Sequence, residues 1–228
     1  MNLLLSARGV PLNAGQKLRA GRGAPVIALA VIVAAAAAVR LAFLSVPVRP
    51  DEAVTFLSYA SHSLGEALGD YSLPNNHLLN SLGVHLSWRL FGQDEWSLRL
   101  PALVAGICTV PAAFMLGREL YGTHAAVWGA GLVAGSSALI QYSTNARGYM
   151  AGTLFVVLAI VCASWAARMH AAPAWFGFGI CALLAVYSVP SMAFGILVAG
   201  AWVAWNALAA SPRGERWASS RRTLAELG

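Results

Sequence analysis

Residues 25–46 read PVIALAVIVAAAAAVRLAFLSV, and this apolar run leads directly into PVRPDE at residues 47–52. A run of about 18–22 apolar residues is long enough to cross a ~30 Å hydrocarbon core as a helix. Backbone polar groups in lipid must be satisfied within the segment, so the run is predicted to be α-helical. The stretch therefore predicts a membrane protein whose first span ends beside two acids, Asp51 and Glu52.

The composition extends this prediction to the whole chain, because 58% of the residues are hydrophobic and only 11% are charged. Such a composition excludes an ordinary soluble domain, and we predict an all-α polytopic membrane protein. Pro190 separates the last two apolar runs, which predicts a tight hairpin or a broken pair. Three cysteines (Cys108, Cys162 and Cys181) lie inside apolar runs without metal-ligand spacing, so neither a disulfide framework nor a zinc site is predicted. The six predicted spans are residues 25–46, 98–116, 125–142, 149–167, 175–189 and 191–208.

The basic residues predict the orientation of these spans. Both ends of the chain are basic, and six spans place both ends on one side, which the positive-inside rule predicts to be cytoplasmic. The length of the first apolar run favours an uncleaved span over a signal peptide. The net charge of +6 then reflects topology and does not indicate nucleic-acid binding. The predicted parts are a cytoplasmic N-terminus (1–24), a transmembrane domain (25–209) with an outer loop (47–97), and a cytoplasmic tail (210–228).

The outer loop is predicted to carry a polar site. It holds six of the nine acids of the chain. Carboxylates at membrane depth are costly unless they are paired or functional. Two amphipathic stretches, residues 54–68 and 77–91, are too short to cross and predict two helices lying at the membrane surface, with a turn at 73–76 between them.

Asp51 and Arg147 are the main candidates for chemistry, and each has a structural alternative. In the structural alternative, Asp51 caps the following helix, and the negative charge of Glu52 in the first turn interacts favourably with the helix dipole. In the functional alternative, Asp51 acts as a general base or as a ligand of a divalent cation. These roles are compatible. Arg147 lies in the outer turn QYSTNARGY at 141–149. It is either a snorkelling interfacial arginine between two tyrosines or a guanidinium that grips a phosphate.

Arg40 and His77 are secondary candidates whose roles stay open. Arg40 lies in the first span, about three turns before Asp51 if the helix continues. It could snorkel, pair with an acid or face a lipid phosphate. His77 opens the second surface helix and could be structural or functional.

Several short motifs occur in a fixed order along this topology. They are Asp51-Glu52, then Asn75-Asn76-His77, then Leu90-Phe91-Gly92, then Glu95-Trp96-Ser97-Leu98-Arg99-Leu100-Pro101, and finally Ser143-Thr144-Asn145-Ala146-Arg147-Gly148-Tyr149. This order resembles the N-terminal part of the GT-C glycosyltransferases, in particular the protein O-mannosyltransferase-like group. The lipid A aminoarabinose transferase is a more distant relative. The resemblance runs from about Arg40 to Arg168.

The resemblance implies a partial GT-C fold and a glycosyltransferase of the plasma or inner membrane. Such an enzyme moves a sugar from a polyprenyl-phosphate carrier to a protein, lipid or glycan acceptor on the extracytoplasmic side. By resemblance, Asp51 and Glu52 form the catalytic acidic pair, and Arg147 and His77 are candidates for binding the donor phosphate. Arg40 is a third candidate for the phosphate because of its position in the first span. Leu78 replaces the proline that commonly follows the family histidine.

The implied partners are the lipid-linked sugar, the bilayer and the acceptor, with no nucleic acid. No cofactor is predicted, no protein metal site is predicted, and a divalent cation is left open. Family members usually continue through more spans, so the chain is interpreted as a fragment or a truncated member.

Two other functions are compatible with parts of the sequence. A transporter or permease subunit would place ionisable groups or broken helices near the bilayer midplane, whereas the polar residues here concentrate at the outer surface. A non-catalytic membrane assembly protein stays open because much of the family architecture is absent from this chain. A six-span serine protease is disfavoured, because residues 135–138 read GSSA without the final glycine and the last span has no histidine.

Overall fold

The computed structural model describes residues 14–69, 76–169 and 172–209, and this part of the chain contains α-helices and no β-strand. The predicted tail (210–228), the first 13 residues and most of the predicted turn at 73–76 lie outside the described residues. The helices are α1 Ala14–Leu41, α2 Pro50–Thr55, α3 Leu64–Gly69, α4 Leu78–Phe91, α5 Glu95–Tyr121, α6 Thr123–Gly135, α7 Ser137–Ser143, α8 Tyr149–Met169, α9 Ala172–Ser188 and α10 Ala193–Ala209.

The all-α membrane fold is confirmed, although the number of spans is not. Three helices in the described ranges are long and apolar enough to cross a membrane, namely Gly23–Leu41 within α1, α5 and α8. The bent pair α6–α7 would make a fourth span. α9 and α10 have 17 residues each, or about 25 Å at the helical rise, which is less than the ~30 Å core. Six spans therefore stay a prediction.

The first span ends earlier than predicted. α1 stops at Leu41, and residues 42–45 form turns, whereas the sequence predicted a helix to residue 46. Pro47 and Pro50 lack a backbone N–H and disfavour helix in the residues before them. Arg40 is therefore in the last turn of α1 and is not joined to Asp51 by a continuous helix.

The third predicted span is broken, and Arg40 explains why the break is tolerated. α6 and α7 meet at Ser136 with a 60° bend, where residues 125–142 were predicted to be one helix. The break leaves the carbonyl of Ala134 without a helical partner, and Arg40 Nη1 donates to it at 3.1 Å. Arg40 Nε also donates to Ser143 Oγ at 3.1 Å, at the far end of α7. These bonds satisfy polar groups that lipid could not satisfy.

α5 is the centre of the bundle and contacts α1, α4, α6, α7 and α8. Gly106 of α5 allows the close approach of α7, because a Cβ at this position would overlap the side chain of Ser143. The packing therefore fixes α7, and with it the segment that follows α7, against the central helix.

The described part of the predicted outer loop (47–97) is mostly helical, but its first stretch is divided. α2 continues as a π-helical turn, Phe56–Ala60, and α3 begins only at Leu64. The second stretch is confirmed as α4, and His77 is its N-cap residue. α4 packs on α5, which holds the outer loop over the end of the bundle.

Candidate functional site

Asp51 and Glu52 are adjacent in sequence but have different surroundings. Arg49 is the N-cap of α2 and Pro50 is its first helical residue, so the interpretation of Asp51 as the cap is wrong. The backbone N–H of Arg49 instead donates to Glu52 Oε2 at 2.8 Å. Successive residues in a helix point about 100° apart. The two carboxylates therefore face different neighbours.

Glu52 is buried in a clamp with Arg99. Only 1% of Glu52 is exposed, and Arg99 is fully buried. Arg99 Nε and Nη2 donate to the two carboxylate oxygens at 2.8 and 2.6 Å, and Ala146 N–H donates to Oε1 at 2.8 Å. Arg99 also donates to the carbonyls of Leu44, Val46 and Pro47 at 2.7, 2.6 and 3.1 Å. The clamp joins the end of α1, the start of α2, α5 and the segment between α7 and α8.

The segment of residues 144–148, called the 144–148 loop below, is fixed from three sides. Ala146 N–H donates to Glu52, and the Ala146 carbonyl accepts from Asn80 Nδ2 at 2.8 Å. Gly148 N–H donates to His77 Nδ1 at 2.8 Å. A Cβ at Gly148 would lie 2.9 Å from His77 Cβ, so this close approach needs glycine. The loop is therefore held rigidly by side chains from α2 and from the start of α4.

Asp51 and Arg147 form a partly exposed ion pair at the edge of this loop. Arg147 Nη1 lies 3.1 Å from Asp51 Oδ2, and the side chains of Arg147 and Asp51 are 11% and 35% exposed. Asn145 Nδ2 lies 3.4 Å from the same oxygen. The Arg147 guanidinium lies over the Tyr149 ring, 5.3 Å from its centroid, and its Nη2 is 3.4 Å from the Tyr149 hydroxyl. Asp51 is therefore accessible from the surface, whereas the guanidinium of Arg147 is mostly covered.

The surroundings of both acids favour the ionised form. Burial by itself raises the pKa of Asp51, but hydrogen bonds from Arg147 and Asn145 and the charge of Arg147 together lower it below its usual value. Burial also raises the pKa of Glu52, and the bonds from Arg99 and the backbone lower it. Both acids therefore stabilise the fold above their unfolded pKa, and this stability is lost as the pH falls through their folded pKa. At neutral pH, Asp51 is ionised and able to accept a proton.

His77 is a neutral support for the loop. Burial, followed by the positive charge of Arg147, lowers the pKa of His77 to about 4. Because Nδ1 accepts the Gly148 N–H, the neutral ring carries its proton on Nε2. The ring packs edge-on against Tyr149, with centroids 4.9 Å apart. Protonation disfavours the fold, so the stability from His77 is present above its unfolded pKa of 6.5 and declines as the pH falls towards 4.

The structure brings four of the five predicted site residues to the 144–148 loop and leaves one elsewhere. Asp51, Glu52, His77 and Arg147 all bond to the loop or belong to it. Arg40 is fully buried, and besides the bonds at the α6–α7 break it donates to the Ala36 carbonyl of its own helix. These contacts link α1 to α6 and α7 and are structural. Binding of a phosphate by Arg40 stays a prediction.

Three residues of the site were missed by the sequence analysis, namely Arg99, Asn80 and Asn145. Arg99 carried a usable signal, because an arginine at the outer end of a span opposes the positive-inside trend. The same trend singles out Arg147. Asn145 belongs to a motif of the family resemblance, but neither Asn145 nor Asn80 has a signal of its own, because single amides in a polar turn or on an amphipathic helix are common.

Other parts of the described chain offer less for catalysis. In the described ranges, no three His, Cys, Asp or Glu side chains come together in a group that could hold a metal ion. A groove of about 750 Å³ lies at the other end of α5 and has no carboxylate in its lining. Its lining residues are Ala24, Pro25, Val26, Ala28, Phe114, Arg118, Thr123, His124 and Val127.

Comparison with known proteins identifies a family and extends the resemblance towards the C-terminus. The family model of dolichyl-phosphate-mannose-protein mannosyltransferase matches residues 80–225. The matched region includes Arg99 and Arg147, whereas Asp51, Glu52 and His77 precede it. No curated protein and no solved structure matches the chain. Because the match covers more than half of the chain, this protein belongs to the dolichyl-phosphate-mannose-protein mannosyltransferase family, which is of the GT-C type.

Proposed function

We propose that this chain transfers a sugar from a polyprenyl-phosphate carrier to an acceptor on the extracytoplasmic face of the membrane. The observation that carries the proposal is the partly exposed Asp51–Arg147 pair on a rigid loop at the end of the helix bundle. The family description names a lipid-phosphate mannose as donor, which supports a phosphate-linked sugar as the substrate. The acceptor is a hydroxyl or amine group of a protein, lipid or glycan.

In the proposed reaction, Asp51 removes the proton from the acceptor as the acceptor attacks the anomeric carbon. The bond from that carbon to the phosphate oxygen breaks, and its electron pair leaves with the phosphate. Arg147 stabilises the charge on the departing phosphate through its planar pair of donors. A single displacement inverts the anomeric centre. A divalent cation is not required by this scheme, and the scheme is compatible with one.

The Asp51–Arg147 ion pair must open for this reaction. The Arg147 guanidinium, which would bind the phosphate, donates a hydrogen bond from Nη1 to Asp51 Oδ2. A bound phosphate replaces Asp51 as the partner of Arg147 and partly neutralises its charge. The pKa of Asp51 then rises from its lowered value, which makes the carboxylate a stronger base.

Glu52 is proposed to position the site without touching the substrate. Both of its oxygens accept hydrogen bonds from protein groups, so neither is available to an acceptor. Its bond to Ala146 N–H fixes the position of the 144–148 loop, which carries Arg147. His77 holds the other end of the loop through Gly148. The acidic pair therefore divides into a base, Asp51, and a clamp, Glu52.

A transporter or permease subunit is the second candidate function, and one observation favours it. The α6–α7 break beside the buried Arg40 is a discontinuous helix of the kind that transporters use near the midplane. The bonds of Arg40 to Ala134 and Ser143 instead favour a structural brace. A transporter would not consume a lipid-linked sugar, so loss of label from a polyprenyl-phosphate donor separates the two functions.

The proposed site faces outward only if the predicted topology is correct, with residues 1–24 and 210–228 cytoplasmic and residues 47–97 outside. We expect an impermeant thiol reagent to label Ser63→Cys in intact cells and to label Ser220→Cys only after permeabilisation. Ser63 is exposed in the outer loop. The parent protein with Cys108, Cys162 and Cys181 replaced is the control. Labelling of Ser220→Cys but not of Ser63→Cys in intact cells would invert the topology.

The phosphate role of Arg147 is tested by binding of polyprenyl-phosphate mannose to the purified chain in nanodiscs. Arg147→Lys keeps the charge but loses the planar fork. Because hydrogen bonds to charged groups contribute about 1.5–3 kcal/mol, we expect binding to weaken by roughly 10- to 100-fold. Arg168→Lys is a matched control, since Arg168 pairs with Glu119 at the other end of the bundle. Unchanged affinity in Arg147→Ala protein would remove Arg147 from the phosphate site.

A further inference from the structure

Asn145 is a buried polar side chain with an unused hydrogen-bond acceptor beside the ion pair. Only 7% of Asn145 is exposed. Its Nδ2 faces Asp51 Oδ2 at 3.4 Å, and its Oδ1 is buried without a hydrogen-bond partner among the described residues. Buried acceptors in native proteins nearly always have a partner, so an unpaired one needs an explanation.

The orientation of the amide is determined by its neighbour. In the opposite orientation, Oδ1 would face the ionised carboxylate of Asp51, and two acceptors would repel each other. The N–H₂ group therefore faces Asp51, and the oxygen is the atom left over.

The two residues before Asn145 have their hydroxyl groups paired within the protein. Thr144 Oγ1 donates to the carbonyl of Ile140 at 3.1 Å, and the Ser143 hydroxyl donates to the carbonyl of Leu139. The loop itself cannot shift easily to pair Oδ1, because Glu52 and His77 hold the residues on its far side. The unpaired oxygen of Asn145 is therefore held in a rigid frame.

We propose that Asn145 is a sugar-binding residue whose Oδ1 accepts a hydrogen bond from a hydroxyl group of the sugar on the lipid donor. The inference rests on the proposed function. A sugar joined to the phosphate at Arg147, with its anomeric carbon towards Asp51, lies next to the side chain that contacts Asp51. An acceptor oxygen selects for a donor group, and hydroxyl groups are the donors that a sugar offers.

The test compares the binding of two lipids, polyprenyl-phosphate mannose and bare polyprenyl phosphate, to the chain in nanodiscs. We expect the wild-type protein to prefer the sugar-bearing lipid. Asn145→Ala should reduce this preference about tenfold, which is the size of one neutral hydrogen bond, and leave the affinity for bare polyprenyl phosphate unchanged. Thr144→Val is the matched control, since the Thr144 hydroxyl bonds only within its own helical turn, and it should keep the full preference.

Deoxy donors give a second test that does not need Asn145→Ala protein, in case that variant folds poorly. The donors compared each lack one hydroxyl group of the mannose. One of them should bind wild-type protein about tenfold more weakly than the intact donor. The Asn145→Ser protein should bind that deoxy donor and the intact donor equally well. Equal weakening of both lipids in the variant would show that Asn145 only positions Asp51 and Arg147, and would overturn the proposal. An unchanged preference would overturn it as well.

Failure of the proposed function gives a different result from failure of this inference. If the wild-type protein binds bare polyprenyl phosphate through Arg147 but shows no preference for the sugar, only the role of Asn145 is wrong. If it binds neither lipid, the lipid-phosphate function is wrong and the role of Asn145 is overturned with it.

Discussion

Asp51→Asn should lower sugar transfer by roughly two to four orders of magnitude, because the amide cannot take the proton of the acceptor. The substitution is nearly isosteric, and Asp51 is not the cap of α2, so the helix loses no capping bond. We expect the variant to fold, to insert and to retain the lipid donor. The measurement is the loss of labelled mannose from polyprenyl-phosphate mannose in membranes that contain the native acceptors.

Glu66→Gln is the control for Asp51→Asn. Glu66 is an exposed acid of the same outer loop, and its bonds are to Ser63 within one turn. The Glu66→Gln protein should transfer sugar at the wild-type rate. Turnover of Asp51→Asn within a few-fold of the wild type would contradict the assignment of the base and would return attention to Glu52.

Arg99→Gln should destabilise the protein by about 3–5 kcal/mol, because it leaves the buried carboxylate of Glu52 without its charge partner. For a chain of this size, that corresponds to a Tm lower by roughly 6–20 °C. The variant also removes the donors to the carbonyls that follow α1. The measurement is thermal unfolding of the purified protein in detergent.

The second Arg–Glu pair of the described chain provides a matched control. The Arg168 side chain is 62% exposed and its partner Glu119 is 13% exposed. Arg168 is mostly exposed, and Glu119 also accepts hydrogen bonds from Ser164 and Trp165, so Arg168→Gln should lower the Tm far less than Arg99→Gln. Equal, small shifts in the two variants would show that the Glu52–Arg99 clamp does not hold the site together.

Sequence alone was sufficient for the fold class and for most helices, and it named four residues that the structure brings together at the 144–148 loop. The apolar runs predicted α5 and α8, and the amphipathic pattern predicted α4, because burial in lipid and at an interface leaves a direct periodic signal. The scarcity of acids pointed to Asp51 and Glu52 at the end of the first span.

The division of labour within the acidic pair could not be predicted. Which carboxylate is buried depends on the direction in which each leaves α2, and Arg99 is 47 residues away from Glu52 in the chain. The α6–α7 break has partly the same origin. Ser136 is the N-cap of α7 and its Oγ accepts from Leu139 N–H at 3.5 Å, which is a local signal, but the bond to the Ala134 carbonyl at the break comes from Arg40 on a different helix. Tertiary contacts of this kind leave no local pattern.

The central claim is that the donor phosphate takes the place of Asp51 on Arg147. Its most direct test is the affinity of Asp51→Asn protein in nanodiscs for polyprenyl-phosphate mannose, measured beside the wild type. Removing a carboxylate that competes for the guanidinium and repels the phosphate should tighten binding by about two- to tenfold, in keeping with the modest strength of a partly exposed ion pair. An inactive variant that binds its donor more tightly than the wild type is the predicted result. Weaker binding would contradict the account, because it would show that Asp51 helps to hold the phosphate and does not compete with it.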